Sequence, residues 1–543
     1  MFHGGGEIGG EGLDLGVGAI LVLLAMPGVL ASLLMFEKYG SLIRFLRGDG
    51  VFDPYVATIP DEYFLIVLSM TVAGAAVLWR WNAIFLDRRD YTNLVALPIR
   101  LRTIFFANLS AILVVAALFT IVVNAASLFL FPAAVVGSQQ SVSVFVRFAI
   151  GHAVAIFLGS MFSFLAIFAL AGGLIALLPF RLFRSVSLLV RFVIAMGLLA
   201  LIASSFAVPT MLDHTLSSAR HGIAVLPPVW FLGISQSIWG NGNDPFYASM
   251  TTRALASMAW VLLIGTAAYI LSFRRSFLRV PETADSGPLP LATKRFIPQM
   301  YLSRVICTSP SQRACYDFIF RTLLRSDGHL QIALAFAALS LVASAASLLS
   351  LDNPGMILAG PIPSTEFLAI PFILSYCIII GIRFAFEIPS ALEANWIFRV
   401  WLKADDGQAR PVARRVLNAA TLPWLVPTAL VSTGVIFNWA IAIQHAAVLT
   451  ASNLVLVEVL LINFRSVPFT HPTPIFQSHS GVSLLAYLFG YFIYTGYVPE
   501  LERWSLISPV RPISFVLLSG IILMSIHFYR KQMLEMDKEL TFE

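Results

Sequence analysis

The sequence predicts an all-α, polytopic integral membrane protein with about 12 transmembrane helices, organised as two parallel six-helix halves. Three observations carry that prediction. The 543 residues are 58% hydrophobic and only 12% charged, whereas a soluble domain is about 25% charged. The apolar residues fall in unbroken runs, such as Leu109 to Phe131 and Ile332 to Leu351. The order of runs and charged loops also repeats along the chain. Backbone polar groups in lipid must pair internally, which leaves helices and closed barrels. Barrel strands alternate polar and apolar residues, so continuous runs select helices.

Taken in order, spans are predicted near 15–36, 62–79, 103–131, 145–178, 188–209, 254–273, 330–351, 366–386, 422–443, 446–464, 482–499 and 512–529. The Gly-rich, acidic start lacks a basic region, so the first run is expected to be a retained span rather than a cleaved signal. Ile223 to Ile238 is shorter and holds Pro227-Pro228, as expected of a re-entrant or interfacial segment. Ser41 to Leu46 is expected as a short amphipathic helix on the membrane surface.

Charge sets the expected orientation. With the N-terminus inside, the loops 80–102, 179–191, 274–329, 387–421, 465–480 and 530–543 hold 26 of the 35 Lys and Arg residues. The outside segments hold seven. The positive-inside rule then places both termini in the cytoplasm of a multi-pass cell (inner) membrane protein. Lysine and arginine sit where topology and anionic lipid require them, so the pI near 9.3 implies no nucleic acid partner.

The repeat divides the chain into a first six-span half, 1–273, a cytoplasmic linker, 274–329, and a second six-span half, 330–543. Each second span leads into a charged loop bearing Trp: Trp79-Arg80-Trp81 running on to Asp87-Arg88-Arg89-Asp90, and Trp396 running on to Asp405-Asp406. Repeats of this kind are common in transporters. In the linker, Pro281, Pro288, Pro290 and Pro298 predict an extended stretch. Gln312 to Leu324 is then expected as a surface helix with Phe318, Ile319 and Leu323 on one face.

The chemistry-bearing motifs are mostly excluded. A P-loop needs Gly-Lys to hold phosphates, and the sequence has no such dipeptide. His-Glu-x-x-His and Gly-x-Ser-x-Gly are also missing. Cys307, Cys315 and Cys377 form neither a disulfide framework nor a metal cluster. His471 and His479 lack a third ligand. No cofactor or metal is expected in the chain itself. Among polar residues inside spans, Glu458 is the clearest intramembrane candidate, shallow enough for water or Arg465 to neutralise it. Asn124, His152, Asn438, Gln444, His445 and Asn453 are expected to hydrogen-bond between helices. Tyr487, Tyr491 and Tyr494 share one helix face.

The segment Asp87-Arg88-Arg89-Asp90-Tyr91-Thr92-Asn93-Leu94-Val95-Ala96-Leu97-Pro98-Ile99 combines a charged start, a Leu-x-x-Leu-Pro-Ile core and a basic end. It resembles the loop of ATP-binding-cassette (ABC) export permeases of the second type. Thr92, Leu94, Leu97, Pro98, Ile99 and Ile104 match as they stand. Tyr91 replaces the usual Gly and Asn108 the common Lys, and 404–417 lacks the Leu-Pro-Ile core. The resemblance implies that Asp87, Arg88, Arg89, Asp90, Thr92, Leu94, Leu97, Pro98 and Ile99 form a loop coupling the permease to a separate cytoplasmic ATP-binding subunit. ATP would bind on that partner. The substrate would be amphipathic, with the lipid bilayer as surroundings. A membrane enzyme acting on lipid or polyprenyl-linked sugar is the alternative, using Asp213, His214, His221 and Asp244. A non-catalytic membrane scaffold is a third.

Overall fold

The computed structural model describes residues 28–35, 38–39, 58–79, 81, 97–136, 142–213, 222–239, 244–279, 303–307, 309–349, 362–388, 409–462, 464, 468–469, 481–506 and 510–540. The chain divides into two units, Met1–Gly287 and Pro288–Glu543. Helices make up both, and no strand occurs among the described residues. Ten of the described helices are long and apolar enough to cross a membrane, so the protein is an all-α, polytopic membrane protein. Ten is two fewer than the sequence suggests. Most of the first expected span, 15–36, lies outside the described residues. The expected span 482–499 is broken by a π-helical turn.

In the first unit the helices are α1 (Ile59–Trp79), α2 (Leu101–Val135), α3 (Val142–Leu177), α4 (Phe180–Asp213), α5 (Pro227–Trp239) and α6 (Pro245–Arg279). Helix α3 is the hub, touching α1, α2, α4, α5 and α6. Paired prolines open α5 because a residue in the first turn has no intrahelical partner for its N–H. At 13 residues, α5 is about 20 Å long, too short for a hydrocarbon core of about 30 Å. It is nevertheless buried along most of its length. It reaches α6 closely because Gly233 has no side chain: a Cβ there would lie 2.6 Å from Cβ of Met250 and 2.9 Å from the Tyr247 carbonyl. Asp244 starts α6 by accepting the Phe246 N–H at 2.9 Å, an N-cap bond.

The second unit holds α7 (Pro310–Arg325), α8 (Asp327–Leu349), α9 (Thr365–Ala385), α10 (Ala409–Ile436), α11 (Trp439–Leu460) and α12 (Gly481–Phe492). A π-turn (Ile493–Tyr497), α13 (Val498–Ser505) and α14 (Val510–Leu540) complete it. Helix α7 is the surface helix expected from the linker. Ser309 caps it, and Ile319 and Leu323 are buried in the unit's core with Phe318 packed against them. Ser364 and Asn438 cap α9 and α11 with side-chain oxygens that accept from Phe367 and Ala440. Tyr487, Tyr491 and Tyr494 pack on α9, where the Tyr376 hydroxyl donates to the Tyr487 carbonyl at 2.5 Å.

The two units repeat one pattern of helix contacts. In the first, α1 touches α2, α3 and α5, and α3 touches α2 and α6. In the second, α9 touches α10, α11 and α13, and α11 touches α10 and α14. The final long helix meets the short one in both, α5 with α6 and α13 with α14. Each unit therefore carries the same order: long helices, then a short helix, then a last long helix.

Candidate functional site

The described residues hold no group of three metal-ligating side chains. What they hold instead is one buried carboxylate beside one buried imidazole in each unit.

In the first unit the carboxylate is Glu62. It stands with Asp61 in the first turn of α1, where the positive end of the helix dipole favours acids. The two acids face different partners. Asp61 accepts from Lys38 Nζ at 2.7 and 2.9 Å and from the Tyr39 hydroxyl at 2.7 Å. Glu62 is wholly buried and turns toward α5 and α3. Ser235 donates its hydroxyl to Oε1, and Gln236 Nε2 donates to Oε2 at 3.1 Å. His152 Nδ1 of α3 lies 3.7 Å from Oε1, an ion-pair approach longer than a hydrogen bond. Aromatic rings enclose the imidazole. Phe148 stacks parallel to it at 6.3 Å, and Phe131 lies 4.8 Å away. Neither ring nitrogen of His152 has a hydrogen-bond partner, and neither does Gln236 Oε1. Further along α1 and α3, Ser69 and Ser160 share a hydroxyl hydrogen bond, and Asn124 Nδ2 reaches Ser160 Oγ at 3.4 Å.

In the second unit the imidazole is His445 of α11 and the carboxylate is Glu502 of α13. His445 Nδ1 lies 2.7 Å from Glu502 Oε1, and both residues are buried. Phe372 presents itself edge-on to the imidazole at 6.2 Å. Tyr494, hydrogen-bonded to Ser375 at 3.0 Å, packs on Phe372. His445 Nε2 and Glu502 Oε2 have no hydrogen-bond partner.

A buried ion costs several kcal/mol unless it is paired. With one proton between them, carboxylate and imidazole are neutral overall, either as two neutral groups or as an ion pair. Both pairs also engage the short helix. In the first unit it supplies Ser235 and Gln236 to the acid, and in the second it supplies the acid itself.

The sequence carries a signal for this that its coarse repeat does not reveal. Ala149-Ile150-Gly151-His152-Ala153 of α3 matches Ala442-Ile443-Gln444-His445-Ala446 of α11. Ile59-Pro60 and Phe64-Leu65 of α1 match Ile362-Pro363 and Phe367-Leu368 of α9 at the same spacing. By that register Thr365 stands where Glu62 does, and its hydroxyl accepts from Arg503 of α13 at 3.4 Å. The two histidines thus stand at matching positions of the repeat, while the acid lies at the helix start in one unit and on the short helix in the other. Glu62 opens the expected span 62–79 and Glu502 falls between the expected spans 482–499 and 512–529, so neither reads as an acid inside a span.

Of the expected site residues, Glu458 has a different partner. Arg410 and Arg414 of α10 hold its carboxylate at 2.5 and 3.0 Å, whereas Arg465 lies outside the described residues. Asp87, Arg88, Arg89, Asp90, Thr92 and Leu94 of the expected coupling loop also lie outside them. Leu97, Pro98 and Ile99 are described and exposed. The Ile99 N–H donates to the Leu97 carbonyl at 2.7 Å, a three-residue turn centred on Pro98 that directly precedes α2. Leu97 and Ile99 project from it, half-exposed apolar side chains. Asn124 bonds Ser160 of α3 and Asn453 bonds Asn418 of α10, between helices as expected, whereas Asn438 caps its own helix and His152 has no hydrogen-bond partner. Among the residues of the alternative enzyme reading, Asp244 serves as a helix cap. His214 and His221 lie outside the described residues.

No protein-family model matches the chain, and no curated protein or solved structure matches it.

Proposed function

We propose that the protein is the membrane-spanning permease of an ABC-type exporter, moving an amphipathic substrate and powered by a separate ATP-binding subunit. The observation that carries this reading is the repeated helical unit. A chain built from two copies of one helical unit is a recurrent architecture of membrane transporters, in which access alternates as one copy moves against the other. If ATP drives transport, the lack of a P-loop in this sequence calls for a partner that binds it. The exposed Leu97-Pro98-Ile99 turn offers that partner a contact at the start of a long helix. Small apolar projections on a rigid turn suit a groove in another protein. In this reading the turn and 393–415 act as levers on the spans. The chain lies in the cell membrane with both termini cytoplasmic.

The test is co-purification followed by transport. The tagged full chain, expressed in its own cells, is expected to bring down a P-loop ATPase. Pro98→Glu, which places a charge in the turn, is expected to lose that ATPase while the chain itself still reaches the membrane. Absence of any ATPase from the wild-type preparation, or retention of it by Pro98→Glu, overturns the assignment of the turn.

A further inference from the structure

We propose that the imidazole–carboxylate pair of the second unit, His445 and Glu502, is a proton-retaining latch, holding α13 on the histidine-bearing α11 only while the pair carries one proton. The observations are geometric. His445 of α11 meets Glu502 of α13 at 2.7 Å in a fully buried contact. Helix α13 has eight residues, and besides this contact it packs on α9 and α14. A π-turn, Ile493–Tyr497, joins it to α12. Such single-turn π segments can shift register and recur at functional places in helices. The first unit is built differently: Glu62 belongs to α1, His152 lies 3.7 Å from it, and α5 reaches the acid through Ser235 and Gln236.

The charge balance sets the direction. With one proton the pair is neutral and tolerates burial. Loss of that proton leaves Glu502 as an uncompensated buried anion. Gain of a second leaves His445 as an uncompensated buried cation. Either change favours the arrangement in which α13 moves away and water reaches the charged group. The latch is therefore firmest in a middle pH window and loosens on both sides.

The neighbouring charged and titratable groups make their contacts elsewhere. In the second unit Glu458 and Arg410 neutralise each other across α10 and α11. Arg503 bonds Thr365, Arg511 lies over the Trp504 ring, and Tyr494 bonds Ser375. Glu500 is exposed and Glu366 half-buried. In the first unit Lys38 and Tyr39 engage Asp61, Tyr63 bonds Ser204, and Arg253 bonds the Ala224 carbonyl. Arg147 is exposed and Tyr247 buried.

Hydrogen–deuterium exchange of the full chain in lipid nanodiscs tests the proposal on peptides covering α13 and α5, corrected for the chemical exchange rate. Protection of α13 is expected to be bell-shaped in pH. It should fall about tenfold per pH unit beyond each edge, the slope for one linked proton. Glu502→Gln removes the group that becomes an anion, so the alkaline fall is lost and the acid fall stays. His445→Gln removes the group that becomes a cation, so the acid fall is lost and the alkaline fall stays. Neither changes the profile of α5, which meets its own unit's acid through Ser235 and Gln236 and serves as the control. A flat wild-type profile overturns the latch whether or not the variants fold. Variants that keep both edges overturn it too, and reduce the pair to an ordinary buried contact. No ATPase or transported molecule enters these readouts, so they stand or fall apart from the permease reading.

Discussion

Glu458 Oε2 accepts from Arg410 Nη2 at 2.5 Å, and both side chains are at least 85% buried. Arg414 adds a second contact at 3.0 Å from a half-exposed position. The two arginines therefore differ in worth. Removing one partner of a buried pair strands the other charge and costs about 3 kcal/mol or more. An exposed pair contributes about 1 kcal/mol at most. Glu458→Gln is expected to lower the melting temperature of the purified chain markedly, and Arg414→Gln only slightly. Equal shifts for the two variants would show that Arg410 is not the residue holding the carboxylate.

Close helix packing makes a second prediction. A Cβ at Gly381 of α9 would lie 2.5 Å from Cβ of Phe336 on α8, whereas one at Gly197 of α4 would meet nothing within 4 Å. Gly381→Ala is expected to destabilise by about 1–3 kcal/mol through overpacking. Gly197→Ala should be neutral, or stabilise by up to about 1 kcal/mol through helix propensity. Thermal unfolding in one detergent distinguishes them.

The thiols make a third. Burial pushes the Cys307 and Cys315 thiols above the ordinary range, Cys307 against the opposing pull of Arg415. A raised thiol pKa means less reactive thiolate at neutral pH. Both should resist maleimide in the native state, react faster as pH rises, and label fully only in denaturing detergent. Rapid native labelling of Cys307, 2% exposed, would contradict its place in the core.

A fourth concerns the start of α7. Ser309 Oγ accepts the Gln312 N–H at 3.2 Å. Ser309→Ala should cost about 1 kcal/mol, seen first as faster deuterium exchange at the beginning of α7 rather than in the spans. Uniform loss of protection across the unit would mean that α7 and the spans unfold together.

The fold was legible because it rests on the strongest signals a sequence has. Long apolar runs such as Leu109 to Phe131 can do little in water and must be helical in lipid. The paired prolines and short length of Ile223 to Ile238 mark it as too short to span. The interior contacts were less legible. Glu62 gives no local sign that it turns inward while its neighbour Asp61 takes Lys38, because the choice depends on where Ser235 and Gln236 arrive 173 residues later. His445 looked like any polar residue near a span end, since its partner Glu502 belongs to a helix that begins beyond a π-turn. Glu458 was found, but its partners came from α10 rather than from the nearby loop, because a helix brings Arg410 and Arg414 onto one face.

Covalent fusion of the two matching units has a genetic consequence. In a symmetric homodimer every codon is expressed in both copies, so no change can be confined to one. Here the copies are spelled separately, and each position can drift without its counterpart. The acid is Glu62 of α1 in one unit and Glu502 of the short helix in the other, while a histidine stands on α3 and on α11. One polypeptide thus supplies a built-in comparison: a substitution at His152 leaves His445 intact as its control.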